Sequence, residues 1–384
     1  MKKFITFYII LSFFMMIGVV WADHRSFQYD FNNFKKYEVK GSKNYYKFEN
    51  DLIKDKDVSK QINNSDKSGL ISYLLLEDDK IKIDESALPE YIKSNNGLLL
   101  SNSVGKSLVS YVTGHAICEG YIQNVNVTLN DWNILNGTLY KDSKLIDLLN
   151  MKAGDQNIIG EKNFKSDNII GKIKEIKVNV NTIPLKDVMQ LKVFQNTKKA
   201  SLVYNYSALT TNVIMNYIIY KTGDDWEKLL HKVFNEHVKI KDNVYFLQTV
   251  GANFTSLTFN STDASGRYSF YANRYDYLRI AKAMMDDWNN DTCAGKYLKT
   301  IYNQRVNKNI KPEANKDVGQ YTTKYGGQFH FDIVGLKNRK ILGMSGYGGQ
   351  NIIIDFDRRK IITIHSTDRH YDWYEIVYKK LKED

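Results

Sequence analysis

The segment Val104–Glu119 most constrains the fold of this chain, because a helix formed there has no polar side to present to water. Its apolar residues, placed on a helix, spread round most of the circumference: Leu108, Val109, Tyr111, Val112, Ala116 and Ile117. A helix that is hydrophobic all round is buried inside a protein. Gly120 follows Glu119 and is expected to end the helix. We therefore expect the rest of the chain to pack around a central helix.

Ser103 and Lys106 stand at the start of this predicted helix, three positions apart. Residues i and i+3 share a helix face, so the ammonium can reach the hydroxyl, and the N–H groups of a helix start favour an anion there. A serine needs a base to be nucleophilic at neutral pH, and a lysine serves as that base only if burial lowers its pKa. A helix apolar nearly all round supplies that burial. On an amphipathic helix, the same S-x-x-K pattern would indicate only an N-cap serine and a surface lysine.

Other catalytic and metal-binding motifs fail at a decisive position. Gly105–Ser107 lacks the first glycine of a phosphate-binding loop, since Leu100 stands there. A nucleophile elbow near the C-terminus would need glycine where Tyr347 stands. The sequence contains no H-E-x-x-H and no C-x-x-C, and Cys118 and Cys293 have no metal ligands at the usual spacing. We therefore expect no metal ion and no organic cofactor.

The composition predicts a globular protein with a large core, since 43% of the 384 residues are hydrophobic and 13% aromatic. The formal net charge is +11, and a basic balance invites an anionic partner. The lysines and arginines are nevertheless scattered among acids, and the sequence has no run of five basic residues. We interpret the charge as solvated surface and expect no nucleic-acid partner.

The N-terminus has the pattern of an export signal. Met1-Lys2-Lys3 precedes an apolar run over residues 4–22, and polar residues follow from Asp23. A short basic start, an apolar stretch and a small residue at Ala22 are typical of a secretory signal cleaved after that alanine. The run is nearly long enough to span a membrane, so an uncleaved anchor is the alternative. In both cases we expect the body in the periplasm, with membrane contact only through this segment.

Strand patterns near both ends of the chain predict one antiparallel sheet. Gly69–Leu76 and Lys80–Asp84 flank the turn sequence Glu77–Asp79, and Asn351–Asp355 and Lys360–His365 flank a second turn. Another strand is expected over residues 340–344, and helices are expected at residues 104–119, 145–151, 208–222, 275–288 and 372–381.

These elements predict an α/β fold for residues 67–384, in which helices flank an antiparallel sheet built from both chain ends. A mainly helical insertion is expected at about residues 120–290. Residues 23–66 have no clear period and receive no assignment.

The sequence around Ser103 resembles the serine β-lactamase-related and penicillin-binding family, most closely its branch of class C β-lactamases, carboxylesterases and 6-aminohexanoate-dimer hydrolase. Ser103-Val-Gly-Lys-Ser107 and Ala116-Ile-Cys-Glu-Gly-Tyr-Ile122 are similar to the family's S-V-A-K-S and A-I-x-E-G-x-I. Three later blocks keep the family's order, namely Leu145–Gly154, Tyr204–Gly223 and Gly343–Asp355. The resemblance covers about residues 70–384 and implies a β-lactamase/transpeptidase-like fold with the active site in a cleft between the sheet domain and the insertion.

The resemblance also implies a role for each matching residue. Ser103 matches the acylated nucleophile, Lys106 the lysine beside it, and Tyr206 the tyrosine that shuttles protons. A phenol ordinarily has a pKa near ~10, so a nearby cation must lower it for base catalysis. The backbone N–H groups of Ser103 and Tyr347 match the oxyanion hole. The substrate-binding positions on the same C-terminal strand and turn are Ser345, Gly346, Gly348 and Gln350.

Two departures from the family pattern bear on the substrate. Met344 stands where the family has Lys or His, and Ala208 stands where it has Asn. In β-lactamases and DD-peptidases those polar residues contact the substrate's carboxylate and amide, so their loss favours an esterase or amidase acting on a small ester, amide or peptide. A true β-lactamase or DD-peptidase, and a non-catalytic relative that binds cell-envelope peptide or glycan, are the alternatives. An oxidising compartment would also permit a bridge between Cys118 and Cys293.

Overall fold

The computed structural model describes residues 31, 35–159, 184–198, 203–249, 265–313 and 317–383. The predicted signal or anchor, residues 1–22, lies outside them. Within the described ranges, no helix is both long and apolar enough to cross a membrane.

Strands occur in two groups along the described parts of the chain. They are β1 Lys36–Val39, β2 Glu49–Asn50, β3 Leu70–Glu77, β4 Lys80–Ser86, β5 Leu99–Leu100, β6 Val244–Thr249, β7 Ser265–Ala272, β8 Val306–Asn307, β9 Thr322–Gly326, β10 Phe329–Ile333, β11 Ile341–Gly346, β12 Gln350–Asp355 and β13 Lys360–Ser366.

Helices separate these strands and cover the main sheet. They are α1 Lys56–Asn63, α2 Ser65–Ser68, α3 Glu90–Lys93, α4 Val104–Cys118, α5 Leu145–Leu149, α6 Gln156–Ile159, α7 Leu185–Gln190, α8 Ala208–Thr222, α9 Trp226–His231, α10 Arg274–Asn289, α11 Cys293–Asn303 and α12 Lys379–Lys382. Short 3₁₀ turns lie at Leu129–Asp131, Asn133–Leu135, Lys192–Phe194 and Gly223–Asp225, and π-helical turns at Lys232–His237 and Tyr374–Tyr378.

The main sheet confirms the predicted α/β architecture. It has nine strands in the order β2-β4-β3-β13-β12-β11-β10-β9-β8, and every neighbouring pair except β2 and β4 is antiparallel. Strands from the two ends of the chain therefore meet at the β3–β13 pair. The predicted turn between β3 and β4 has φ of 46° at Asp78 and 67° at Asp79, which is typical of the hairpin turn that matches strand twist.

A second sheet lies in a region that the sequence analysis predicted to be mainly helical or left unassigned. Its four strands run in the order β1-β6-β7-β5. Strands β6 and β7 fall within the predicted insertion at residues 120–290, and β1 falls within the unassigned residues 23–66. The sequence missed this sheet because β5 has only two residues and its partners are far apart along the chain.

Helix α4 is the central helix that the sequence predicts. Every residue from Val104 to Ala116 is buried, and the helix contacts β7, β11, α8 and α11. A disulfide between Cys118 and Cys293 joins the end of α4 to the start of α11. Because β5 pairs with β7 and leads directly into α4, the second sheet fixes where the helix begins.

Candidate active site

The turn before α4 places Ser103 at the helix start. Ser101 donates its N–H to the Phe270 carbonyl at 2.8 Å and accepts from the Phe270 N–H through Oγ at 2.9 Å. Asn102 has a φ of 45°, a left-handed conformation that asparagine tolerates better than most residues. Its side-chain amide donates to the Tyr347 carbonyl at 2.8 Å. The turn is therefore fastened both to β7 and to the loop that follows β11.

The side chains of Ser103 and Lys106 meet as the sequence predicts. The Lys106 ammonium Nζ donates to Ser103 Oγ at 2.9 Å, and Lys106 is only 1% exposed. Its Nζ lies 3.8 Å from the ring centroid of Tyr268 and 4.9 Å from that of Tyr206. A cation facing two aromatic rings is stabilised by their electron-rich faces.

The surroundings of Lys106 act on its pKa in two opposite directions. Burial acts to lower the pKa of Lys106, but the neighbouring hydroxyls of Tyr206 and Tyr268 act to raise it and prevail, so the pKa lies above its ordinary value. This direction favours a protonated Lys106 at neutral pH, and its predicted role as the base for Ser103 stays a prediction. The sequence could not reveal this because Tyr268 is one of 27 tyrosines and carries no local motif.

Gly105 explains how Tyr268 comes so close to the lysine. A Cβ at position 105 would lie 1.9 Å from the Tyr268 carbonyl oxygen and 2.7 Å from Ser101 Oγ. Only glycine allows α4 to approach the backbone of β7 at this distance. The glycine in the S-V-G-K sequence, where the family pattern has alanine, was the one local signal of this contact.

Tyr206 is held at the site by a buried carboxylate that the sequence analysis missed. Asp155 Oδ2 accepts hydrogen bonds from Ser207 Oγ at 2.6 Å, Thr210 Oγ1 at 2.9 Å and the Tyr140 hydroxyl at 2.8 Å. Burial raises the pKa of Asp155, although these hydrogen bonds act to lower it. Because Ser207 directly follows Tyr206 and caps α8 through the Thr210 N–H, Asp155 fixes the backbone that presents the phenol.

The loop between β11 and β12 forms the opposite wall. Gly348 and Gly349 have φ of 78° and 82°, a left-handed conformation suited to glycine. A Cβ on Gly346 would lie 2.6 Å from the Ser101 carbonyl oxygen, so β11 ends directly against the turn before Ser103. The backbone at Gly346 and Tyr347 therefore lies against the turn that precedes Ser103, and the oxyanion hole stays a prediction.

Two of the four predicted substrate-binding positions are among the residues that line the cleft. Ser345 and Gly346 line it, whereas Gly348 and Gln350 are absent from its described lining. The side chain of Gln350 is buried and donates to the carbonyls of Gly348 at 3.1 Å and Ser366 at 2.5 Å. These bonds brace the β11–β12 loop, and the substrate-binding role of Gln350 stays a prediction.

The cleft above Ser103 has a volume of about 700 Å³. Its described lining includes cationic and imidazole groups and no carboxylate: Lys308, His330 and Arg369 join Ser103, Tyr204, Asn205, Tyr206, Ser345 and Tyr347. Met344, by contrast, is fully buried in the core. The charged part of the wall therefore comes from residues outside the predicted blocks.

Lys308 is unusual for a lysine in both its burial and its pKa. It is 1% exposed, and burial lowers its pKa to about 7 although Asp317 acts to raise it. Its Nζ donates to the Gly319 carbonyl at 2.7 Å and to Thr322 Oγ1 at 2.5 Å. The pKa of His330 lies well below its ordinary value because the ring is buried and because Lys308 and Lys106 are cations. His330 is therefore neutral, and its Nδ1 has no hydrogen-bond partner among the described residues.

Comparison with known proteins identifies the fold of this chain. No protein-family model matches the sequence, and no curated protein matches it. The chain has the β-lactamase and penicillin-binding protein fold. It is similar to a provisionally named 6-aminohexanoate-dimer hydrolase from Bacillus anthracis, with 12% identity, 92% of each chain covered and a TM-score of 0.61.

Two further structures share this fold. A penicillin-binding protein from Bacillus halodurans matches with 11% identity over 85% of this chain and 100% of its own, at a TM-score of 0.55. A D-stereospecific amidohydrolase from Streptomyces sp. matches with 13% identity over 84% of this chain and 98% of its own, at a TM-score of 0.53. At these identities the likeness concerns the fold, and it confirms the fold predicted from the sequence resemblance.

Proposed function

We propose that this chain is a serine hydrolase that cleaves ester or amide bonds through an acyl-enzyme on Ser103. The observation that carries the proposal is the 2.9 Å contact between Lys106 Nζ and Ser103 Oγ, made by a buried cation at the base of an open cleft. Similar folds include proteins named as an amidohydrolase and a family VIII carboxylesterase, which supports the same reaction class.

In the first step, the Ser103 hydroxyl attacks the substrate carbonyl and forms the new C–O bond. The serine proton passes to the oxygen of Tyr206, which acts as the base beside the Lys106 ammonium. The negative charge that develops on the carbonyl oxygen is stabilised by the backbone N–H groups of Ser103 and Tyr347.

In the second step, the tetrahedral intermediate collapses and breaks the bond to the leaving group. The Tyr206 phenol returns the proton to the departing alkoxide or amine, leaving the acyl group on Ser103. Water then repeats the sequence in reverse, giving its proton to Tyr206 and releasing the acid. Lys106 remains a cation throughout. Its ammonium holds Ser103 Oγ in place beside Tyr206.

The charges of the cleft favour substrates whose acyl part carries a carboxylate. Lys308 and Arg369 are basic and line the cleft, and no acidic side chain is among the lining residues that the structure describes. Asp317, which is not among the lining residues, pairs with Arg369 at 3.4 Å and acts on Lys308, so it offsets part of this positive charge. Buried or partly buried cations attract an anionic group strongly because the local dielectric is low. This preference does not require the family's polar side chains at positions 344 and 208.

We further propose that the protein is exported. The N-terminal pattern supports export, and so does the disulfide between Cys118 and Cys293, because such bonds persist mainly in oxidising compartments. N-terminal sequencing of the mature protein from a periplasmic fraction tests this proposal. A chain recovered in the cytoplasm with free thiols would contradict it.

A serine-reactive fluorophosphonate probe separates the hydrolase from a non-catalytic binder. We expect labelling of the folded chain that is lost in Ser103→Ala; a folded chain that is never labelled would overturn the proposal. A substrate panel of p-nitrophenyl butyrate, p-nitrophenyl hydrogen succinate, D-amino peptides and nitrocefin then distinguishes the reaction classes. We expect ester turnover with the succinate preferred and nitrocefin hydrolysis negligible, whereas fast nitrocefin turnover would favour a β-lactamase.

A further inference from the structure

Three side chains outside the cleft form a cluster suited to a metal ion. His115, His237 and Asp287 each contribute one ligand atom, and these atoms lie within 4.8 Å of one another. The His237 Nε2 and the Asp287 Oδ2 are 3.0 Å apart, and the rings of His115 and His237 have centroids 4.9 Å apart. The three residues are distant in the sequence, so no spacing motif predicts this cluster.

His115 gives an independent sign of a missing ligand. It is 8% exposed, yet its Nε2 has no hydrogen-bond partner in the described structure. A buried ring nitrogen without a partner costs free energy, and it becomes a ligand when a cation is bound.

The third ligand is oriented in advance. Asp287 Oδ2 accepts a hydrogen bond from the Tyr111 hydroxyl at 2.5 Å, and Oδ1 accepts one from Thr292 Oγ1 at 2.7 Å. Hydrogen bonds of this kind commonly hold metal-binding carboxylates in place. The His237 side chain is 39% exposed, which leaves a route for an ion and a position for a water ligand.

The surrounding backbone favours a cation. His115 lies in the last turn of α4, His237 ends the π-helical turn Lys232–His237, and Asp287 lies in the last turn of α10. The carboxyl end of a helix carries partial negative charge, so three such ends converge on this point. The nearby ammonium of Lys232 is neutralised by Glu119.

We propose that His115, His237 and Asp287 bind one divalent transition-metal ion, most suitably Zn²⁺. Two imidazoles, a carboxylate and a water are a common tetrahedral set for zinc. Tetrahedral bonds of ~2.0–2.2 Å separate the ligands by roughly 3.5 Å, so the widest pair must close by about 1 Å. Residues 103 and 115 are ~18 Å apart along the helix, so the ion is a structural clamp that joins three helical segments beside the disulfide.

Metal binding to the full chain tests this site separately from catalysis. The protein is freed of metal with EDTA, dialysed and titrated with Zn²⁺ by calorimetry and with Co²⁺ by visible absorption. We expect one equivalent to bind, with the intense d–d bands of tetrahedral Co²⁺ and a higher melting temperature in Zn²⁺. Failure of the wild type to bind either ion would overturn the proposal.

Two variants locate the ion. His237→Ala, at an exposed position, should weaken Zn²⁺ binding by more than about 100-fold, since losing even an outer partner of a ligand costs ~10–100-fold. His231→Ala is the matched control, because that exposed histidine pairs with Glu236 outside the cluster, and it should bind like the wild type. His115→Gln provides a second ligand variant with a smaller change in volume. Equal Zn²⁺ affinity in His237→Ala and the wild type would contradict the assignment.

Discussion

Replacing Gly105 with alanine should damage both stability and catalysis, although helix propensity alone predicts the opposite. In an exposed helix, Gly→Ala stabilises by ~1 kcal/mol. Here the new Cβ would lie 1.9 Å from the Tyr268 carbonyl oxygen. Real Cβ contacts are essentially never closer than 3.0 Å, so α4 and β7 must separate by at least about 1.1 Å.

That separation would displace Ser103 and Lys106, the two side chains near position 105 that meet at the candidate active site. Overpacking of this kind typically costs ~1–3 kcal/mol, so the net loss in unfolding free energy after the propensity gain should be up to about 2 kcal/mol. A displacement of ~1 Å at a catalytic group can lower the rate by ~10²-fold. We therefore expect kcat/KM for p-nitrophenyl esters to fall about 100-fold, measured on protein whose folded fraction is checked by urea unfolding.

Gly114→Ala on the same helix is the matched control. Its Cβ would lie 2.5 Å from a ring atom of Tyr297, so it also strains the helix, but far from Ser103. We expect a loss of stability with kcat/KM close to that of the wild type. If Gly105→Ala left both stability and kcat/KM unchanged, the close packing of α4 against β7 would be wrong.

Four further predictions test the site and its support. Tyr206→Phe should lower kcat/KM by ~10²–10⁴-fold because it removes the proton carrier, whereas Tyr204→Phe should leave it little changed; equal effects in steady-state assays would contradict the assignment. Lys308 has a depressed pKa of about 7, so its folded form loses a proton that the unfolded chain keeps, and wild-type unfolding free energy should rise relative to Lys308→Met between about pH 7 and pH 10. As the pH rises from about 6 to 8 across the pKa of Lys308, the preference for p-nitrophenyl hydrogen succinate over the butyrate should fall, and a flat preference would exclude this ammonium from recognition. Reducing the Cys118–Cys293 bond, which spans 175 residues, should lower the unfolding free energy by ~2–5 kcal/mol in urea titrations, and an unchanged midpoint would show that the bond is absent.

The sequence predicted the parts of this fold that are encoded locally. A helix apolar all round must be buried, and every residue of α4 from Val104 to Ala116 is. The turn at Asp78-Asp79 joins two strands with alternating or apolar patterns, and it closes a hairpin with both φ angles positive. Ser103 and Lys106 meet because i and i+3 share a helix face. In each of these cases the deciding interactions lie within a few residues of one another.

The parts that escaped prediction depend on contacts between distant segments. Tyr268 reaches Lys106 only because β7 packs on α4, and Lys308 enters the cleft from the short strand β8. Asp155 holds the backbone next to Tyr206 across more than fifty residues of sequence. A single sequence carries no periodicity or spacing that announces such pairs, so the charge state of the lysine could not be inferred before the fold was known.

The most direct test of the mechanism is to trap the acyl-enzyme and locate it. The protein is mixed with p-nitrophenyl hydrogen succinate, quenched in acid within the first turnover, digested and sequenced by mass spectrometry. We predict one succinyl group per chain, bound to Ser103, and no adduct in Ser103→Ala. Rapid ester turnover with no adduct on Ser103, or with an adduct on another residue, would contradict the account.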